Sequence, residues 1–284
     1  MRAGDILAHF HAVCWWLDRE RTVDRIIIGD PEAPVRRALV TWMSTFPAVR
    51  AAAARGCQLV VTHEPTFWVH QEELAAVARW PAHSPRAQTA ARKRTFIEEH
   101  GMVVLRIHDS WDRMPEVGIP WAWGRFLGLG DRPSLIGSAG FQHRYDIEPT
   151  SLDALAGRIA ARTARLGEPM VQVVGDGERL VSKVGIGTGC YCRPSEFVEM
   201  GCDVSVVCDD GTWYWEQLQA AADSDHPLIR VNHGTSEEPG MVTLTHYLRE
   251  TFPDLTVEHL PHGSCFRLVG PAAEAAGRPE VGRE

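Results

Sequence analysis

The sequence predicts an α/β protein: a mostly parallel sheet flanked by helices, divided into two lobes with a cleft at the carboxyl ends of the strands. Three observations carry that expectation. Short, uninterrupted apolar runs such as Leu59-Val60-Val61-Thr62 and Val103-Val104-Leu105-Arg106-Ile107 read as strands covered on both faces. They alternate with helical stretches, which is the rhythm of parallel pairing. At 284 residues, 44% of them hydrophobic, the chain can bury one large core or two smaller ones.

Along the chain, Ile6, Leu7, Phe10, Val13, Trp16 and Leu17 recur at helical spacing. Ile26-Ile27-Ile28 is strand-like and runs into the turn Gly29-Asp30-Pro31. Ala38 to Trp42 form a short apolar strand, residues 47–55 an Ala-rich helix stopped by Gly56, and Leu59 to Thr62 the next strand. Helices are expected over residues 72–79 and 86–100, a strand over 103–107 and a short helix around 121–127. From about Gly137 the rhythm changes. A helix over 152–166, strands over 170–174 and 180–186, a helix near 194–200, a strand over 204–207 and a helix over 215–222 read as a second α/β lobe, residues 137–227. It is inserted into a first lobe made of residues 1–136 and 228–270. The strand 228–231 is expected to rejoin the first sheet, ahead of a helix over 241–251 and strands over 255–258 and 265–269. The tail 271–284 carries hardly any large apolar side chain and reads as flexible.

The formal charge of −8 leaves no basic footprint for nucleic acid. No uninterrupted apolar segment follows Met1, so no signal peptide is expected, and no run is long enough to span a membrane. A cytoplasmic protein is the expectation. The seven cysteines are odd in number and contain no CxxC pair, which favours buried reduced thiols over a zinc knuckle.

The chemistry-bearing residues fall where strands end. His63 and Glu64 follow the strand ending in Thr62; His108 and Asp112 lie beyond Ile107; His233 and Glu237 lie beyond Val231. Carboxyl ends of parallel strands share one edge, so three distant clusters can converge in one crevice. Histidine with Asp and Glu is the ligand set of Mn, Fe, Zn or Co. Three carboxylates facing one another repel unless paired, and two divalent ions with a bridging hydroxide would balance them. Taken singly, each residue also has an ordinary structural reading, as a turn histidine, an Asx-turn aspartate or a helix-start glutamate.

Val60-Val61-Thr62-His63-Glu64-Pro65-Thr66-Phe67-Trp68 resembles the signature of the Nif-three-like family of dinuclear metal-centre proteins, related to the NGG-one-interacting factor and also labelled GTP cyclohydrolase I type 2. Two further blocks, His108-Asp109-Ser110-Trp111-Asp112 and Asn232-His233-Gly234-Thr235-Ser236-Glu237, are similar to the family's later ligand blocks and occur in the same order. The resemblance implies two interlinked lobes, hexamers of this chain, and two divalent ions (Mn, Fe or Zn) held by His63, Glu64, Asp112, His233 and Glu237. His108 would orient groups around the ions. Glu64 stands where the family usually has a second His; it is a harder ligand, or else a general base alongside His108. The segment Cys208 to Tyr214 lacks a family His, and no N-terminal Asp-Asn-x-Gly-Leu motif is evident, Asp24-Arg25-Ile26 being a poor substitute. Two functions are implied by the resemblance. One is a metal-dependent hydrolase using a metal-bridging hydroxide on a small molecule, a nucleotide by the cyclohydrolase label. The other is a non-catalytic metal scaffold, carrier or regulatory protein.

Among the remaining candidates, His70 and His83 lie near the first ligand block, and His262 near the C-terminus. Solvated loop histidines are the commoner case. Trp213 and Trp215 would stack on a base or fill core, and Gly185-Ile186-Gly187-Thr188-Gly189 is a tight strand-to-helix turn without a Walker lysine.

Overall fold

The computed structural model describes residues 1–212 and 215–266. Trp213, the tail after Pro271 and most of the strand expected over 265–269 lie outside the described residues. The first half contains α1 (Ala3–Val13), β1 (Arg25–Ile28), β2 (Arg37–Met43), α2 (Phe46–Ala54), β3 (Leu59–Glu64), α3 (Glu73–Ala78), α4 (Pro85–Glu99) and β4 (Val103–Arg106). Then come α5 (Asp109–Asp112), α6 (Ile119–Leu127), β5 (Leu135–Ile136), β6 (His143–Ser151), α7 (Leu152–Thr163), β7 (Gln172–Val174) and β8 (Leu180–Ile186). The last elements are α8 (Pro194–Glu199), β9 (Val204–Cys208), α9 (Trp215–Asp223), β10 (Leu228–Val231), α10 (His233–Thr251) and β11 (Thr256–His259).

Local chemistry sets several of these boundaries. Thr45, Ser84 and Ser151 cap α2, α4 and α7 by accepting from the backbone N–H three residues on, and Pro47 and Pro85 occupy first-turn positions. Helix α6 stops at Gly128, whose φ of 72° suits a residue without Cβ.

The first sheet runs β1-β4-β3-β2-β11, parallel throughout except for β1. One face packs on α1, α5, α6 and α10, with Phe10, Trp111 and Leu244 fully buried; the other packs on α2 and α4. The second sheet runs β5-β6-β8-β9-β10-β7, and only β8-β9-β10 are parallel. Its core joins Val204, Val206 and Leu228 to Leu155 and Ile159 of α7 and Trp123 of α6, so α6 serves both cores. The molecule is a mixed α/β protein with two helix-flanked sheets. Among the described residues, no helix is long and apolar enough to cross a membrane.

Three expectations change. Residues 228–231 do not rejoin the first sheet; β10 pairs in parallel with β9 of the second. Strand β6, long and half polar, was not anticipated, and it makes the second sheet more antiparallel than expected. The helix expected over 241–251 begins eight residues earlier, at His233, and carries Pro239 in its interior. Its early turns persist because they are packed: Trp111 Nε1 donates to the Gly240 carbonyl at 2.8 Å. A Cβ on Gly240 would sit 2.3 Å from Ile119 Cδ1, so α6 and α10 approach closely only through glycine. Helix α10 therefore leaves the second sheet and lies along the first, tying the two together.

Candidate metal centre

The parallel trios β2-β3-β4 and β8-β9-β10 both end at one place. In the first sheet, Thr62 of β3 is in register with Arg106 of β4, so His63 and Glu64 emerge beside the turn that begins α5. In the second, β10 delivers His233, and the turns after β8 and β9 deliver Gly189 and Asp210.

Six side chains meet there. His63 Nε2 lies 3.3 Å from Asp112 Oδ1 and 3.4 Å from Glu237 Oε2. His233 Nε2 lies 3.0 Å from Glu237 Oε1 and 3.7 Å from Glu64 Oε1. His108 reaches Asp112 Oδ2 at 3.3 Å through Nδ1 and Glu64 Oε1 at 3.7 Å through Nε2, and its ring stacks on His63 at 4.4 Å. Spacing explains two of the pairs: His233/Glu237 and His108/Asp112 are each four residues apart, one turn along a helix face. Glu237 faces both sides, one oxygen toward each of His63 and His233.

The donor set fits a divalent cation. Two triads, His63/Asp112/Glu237 and Glu64/His233/Glu237, each bring their ligand atoms within 4.8 Å of one another and share Glu237. The residues His63/Glu64/His108 and His108/Asp109/Asp112 form two more such groups. His63 Nε2 and His233 Nε2 are buried and make no well-formed hydrogen bond, so both nitrogens face the cluster. His63 is aimed by its other nitrogen, Nδ1, which pairs with the Ile107 carbonyl at 3.1 Å. That is the usual way a ligating imidazole is oriented.

The electrostatics show which charge the site wants. Burial opposes ionisation of Glu64 and Glu237, yet the surrounding imidazoles prevail: Glu64 is lowered, and Glu237 falls to about 2 under the influence of His233 and His63. Burial likewise opposes a proton on each histidine, and His108 opposes it at His63 too. The carboxylates still outweigh these effects; His63 is raised, and His108 and His233 are raised well above the usual value. Carboxylates that hold protons on buried imidazoles would equally hold a metal dication there.

Sequence reasoning missed two contributors, Trp42 and Asp24, and gave two others, His70 and His262, an ordinary loop reading. Trp42, from β2, donates its indole N–H to Glu237 Oε2 at 2.7 Å. Asp24, 2% exposed, accepts from the backbone N–H groups of His108, Asp109 and Ser110 and from the Ser110 hydroxyl, and so fixes the turn that carries Asp112. His70 places Nε2 3.4 Å from Glu64 Oε2 at the mouth of the site, and His262 packs its ring 4.6 Å from Trp42. His70 keeps its solvated-loop character, half exposed beside Glu64, while His262 departs from that expectation by packing on Trp42. His83 makes no contact with the cluster.

The loop between Glu64 and α3 rests on buried ions. Lys93 donates to the carbonyls of Ser44 and Thr66, Arg106 Nη2 donates to the His70 carbonyl at 2.7 Å, and Glu73 accepts from Phe67 N–H and lies 3.5 Å from Arg106. Burial raises the Glu73 carboxyl from 4.5 to about 7, against the pull of the Phe67 N–H, Arg106 and Lys93. With a folded pKa above the unfolded one, the folded chain holds the extra proton between roughly pH 4.5 and 7. This contribution is complete below that window and is lost as pH rises through it. Urea unfolding should therefore show Glu73→Gln with a flatter pH profile, its difference from wild type changing by about 3 kcal/mol across the window. Parallel profiles would contradict this.

A mixed α/β fold whose strand ends gather three imidazoles and three carboxylates defines a class: proteins with a buried His/Asp/Glu cluster that can hold metal. The chain belongs to the Duf34/NIF3 (NGG1p interacting factor 3) family, whose model matches residues 22–262. Solved structures share its fold. Staphylococcus aureus hypothetical protein SA1388 is 16% identical, with 95% of this chain and 99% of that one covered at a TM-score of 0.77. A Bacillus cereus protein related to NIF3 is 13% identical, covers 95% and 99%, and scores 0.73. Reduced HcgD from Methanocaldococcus jannaschii is 15% identical, covers 92% and 98%, and scores 0.70. No curated protein matches the chain.

Proposed function

We propose that the chain holds two divalent metal ions, one by His63, Asp112 and Glu237 and the other by Glu64, His233 and Glu237, and acts as a metal-dependent hydrolase. The observation that carries this is the carboxylate common to both triads. When bound, such ions supply Lewis acidity and lower the pKa of water. The chain's own part is positional. Ile107 aims His63, Trp42 steadies Glu237, and Asp24 sets the turn bearing Asp112. His108, between Glu64 and Asp112, is placed to carry a proton, and Glu64 is ligand first and base second. Carboxylate oxygens from Glu64, Asp112 and Glu237 beside the imidazoles favour Mn or Fe over a softer zinc site. Hexamers of this chain and a nucleotide-like substrate belong to the same reading through family likeness.

One observation favours a non-catalytic carrier or scaffold instead. In the second lobe the segment that lacks the family His instead uses Asp209 to hold the start of α10, its carboxylate accepting from Asn232 Nδ2 and the His233 N–H. Both readings predict about two Mn ions per chain after chelation and reloading. Turnover separates them. A hydrolase should cleave some member of a nucleotide and ester panel, and His108→Ala should slow it by roughly a hundredfold or more. Bound metal without turnover, passed to an acceptor protein, would select the carrier.

A further inference from the structure

Cys192 and Cys208 lie at the back of the same centre, and nothing in the proposed chemistry uses them. Both are fully buried, with Sγ atoms 3.4 Å apart. The thiols converge on one acceptor: Cys192 Sγ is 2.9 Å and Cys208 Sγ 3.5 Å from the Gly189 carbonyl. The Cys208 backbone N–H points at Cys192 Sγ at 3.1 Å. The turn after β9 closes over the pair so tightly that a Cβ on Gly211 would fall 2.1 Å from Cys192 Sγ.

Gly189 connects this pair to the metal cluster. Its φ is +56°, and a Cβ there would lie 3.3 Å from His233 Nε2 and 3.5 Å from Glu237 Oε1. The backbone that accepts from the two thiols therefore rests directly on two of the proposed ligands. Joining the sulfurs at about 2.05 Å would draw them together and remove both S–H donors from the Gly189 carbonyl, leaving it only the long Cys192 N–H contact at 3.4 Å. A part-buried carbonyl that loses its two thiol donors is freer to move.

We propose that Cys192 and Cys208 are a redox modification site, closing to an intramolecular disulfide with hydrogen peroxide and thereby displacing Gly189 from the metal cluster. The two thiols lose two electrons and two protons, one S–S bond forms, the peroxide O–O bond breaks, and two waters leave. A dithiol reductant reverses it by exchange. The neighbouring Cys190 is exposed on the same turn, so the turn itself reaches solvent. Formation of the disulfide stands on its own geometry; its effect on metal rests on the function proposed above.

The test uses the full chain, reduced, desalted and treated with hydrogen peroxide, then freed of oxidant. Non-reducing peptide mapping should find Cys192 linked to Cys208, and Cys208→Ser should lack the link. Mn(II) binding, followed by its electron paramagnetic resonance signal, should weaken about tenfold in the oxidised wild type and return with dithiothreitol. The same treatment should leave Cys208→Ser unchanged, with Cys192→Ser as the alternate if that variant does not fold. No linked peptide overturns the proposal while leaving the metal reading intact. A linked peptide with unaltered Mn(II) affinity overturns the coupling. A linked peptide in a chain that binds no Mn(II) even when reduced keeps the modification site and removes the metal centre.

Discussion

Glu237→Ala should empty the centre of both ions, whereas Asp112→Ala should release only one. The asymmetry follows from geometry: Glu237 belongs to both triads, with Oε2 on the His63 side and Oε1 on the His233 side, while Asp112 belongs to one of the two. Elemental analysis after reloading with Mn reads the difference directly. Thermal or urea unfolding gives a second measure, because a ligand at a hundred times its Kd stabilises the native state by about 2.7 kcal/mol. With Mn, wild type should gain about twice that amount, one such term for each ion, Asp112→Ala about one and Glu237→Ala none. Loss of the same amount of metal in both variants would mean that Glu237 does not bridge, and the two-ion reading would reduce to one ion among six polar groups. The alanine also leaves the buried Trp42 N–H without its acceptor, so a parallel Glu237→Gln variant, which keeps an acceptor oxygen, separates loss of metal from loss of packing.

Much of this cluster was legible because its members sit next to local signals. A buried strand announces itself by its apolar run, and the residues just beyond that run must lie at the sheet edge; His63, Glu64, His108 and Asp112 are all read that way. His233 and Glu237 were found by the same rule even though β10 was assigned to the wrong sheet. A four-residue apolar strand looks identical in either sheet, and the site survives the error because both parallel trios point their carboxyl ends at it. The features that were not legible depend on contacts between distant segments. The start of α10 contains Gly234, Pro239 and Gly240, poor helix formers that only the packing against Trp42, Trp111 and Ile119 can hold helical. Strand β6 alternates too weakly to stand out, and Trp42 reads as one more apolar residue until its indole is seen on Glu237. His70 lies beside Glu64 on a loop whose backbone Arg106 holds at the His70 carbonyl, a contact across thirty-six residues.

Asp24→Ala should cost the fold roughly 3–5 kcal/mol, the largest effect expected from any residue outside the six-membered cluster. Helix α5 is a single turn, too short to form alone, and its first N–H groups have no partners within it. Asp24 supplies the acceptor for three of them, at 2.7, 2.8 and 3.1 Å, from a position 84 to 86 residues away. Burial raises its pKa despite these donors, so holding a carboxyl there is itself costly. That cost is tolerated because the turn it organises carries both His108 and Asp112. Alanine would leave three buried N–H groups unpaired and free the turn, so metal affinity should fall along with the unfolding free energy. Asn, with one acceptor oxygen in place of two, should fall between Asp and Ala on both measures. If Asp24→Ala unfolds at the wild-type urea concentration, α5 is held by its packing through Trp111 alone, and Asp24 has no part in shaping the centre.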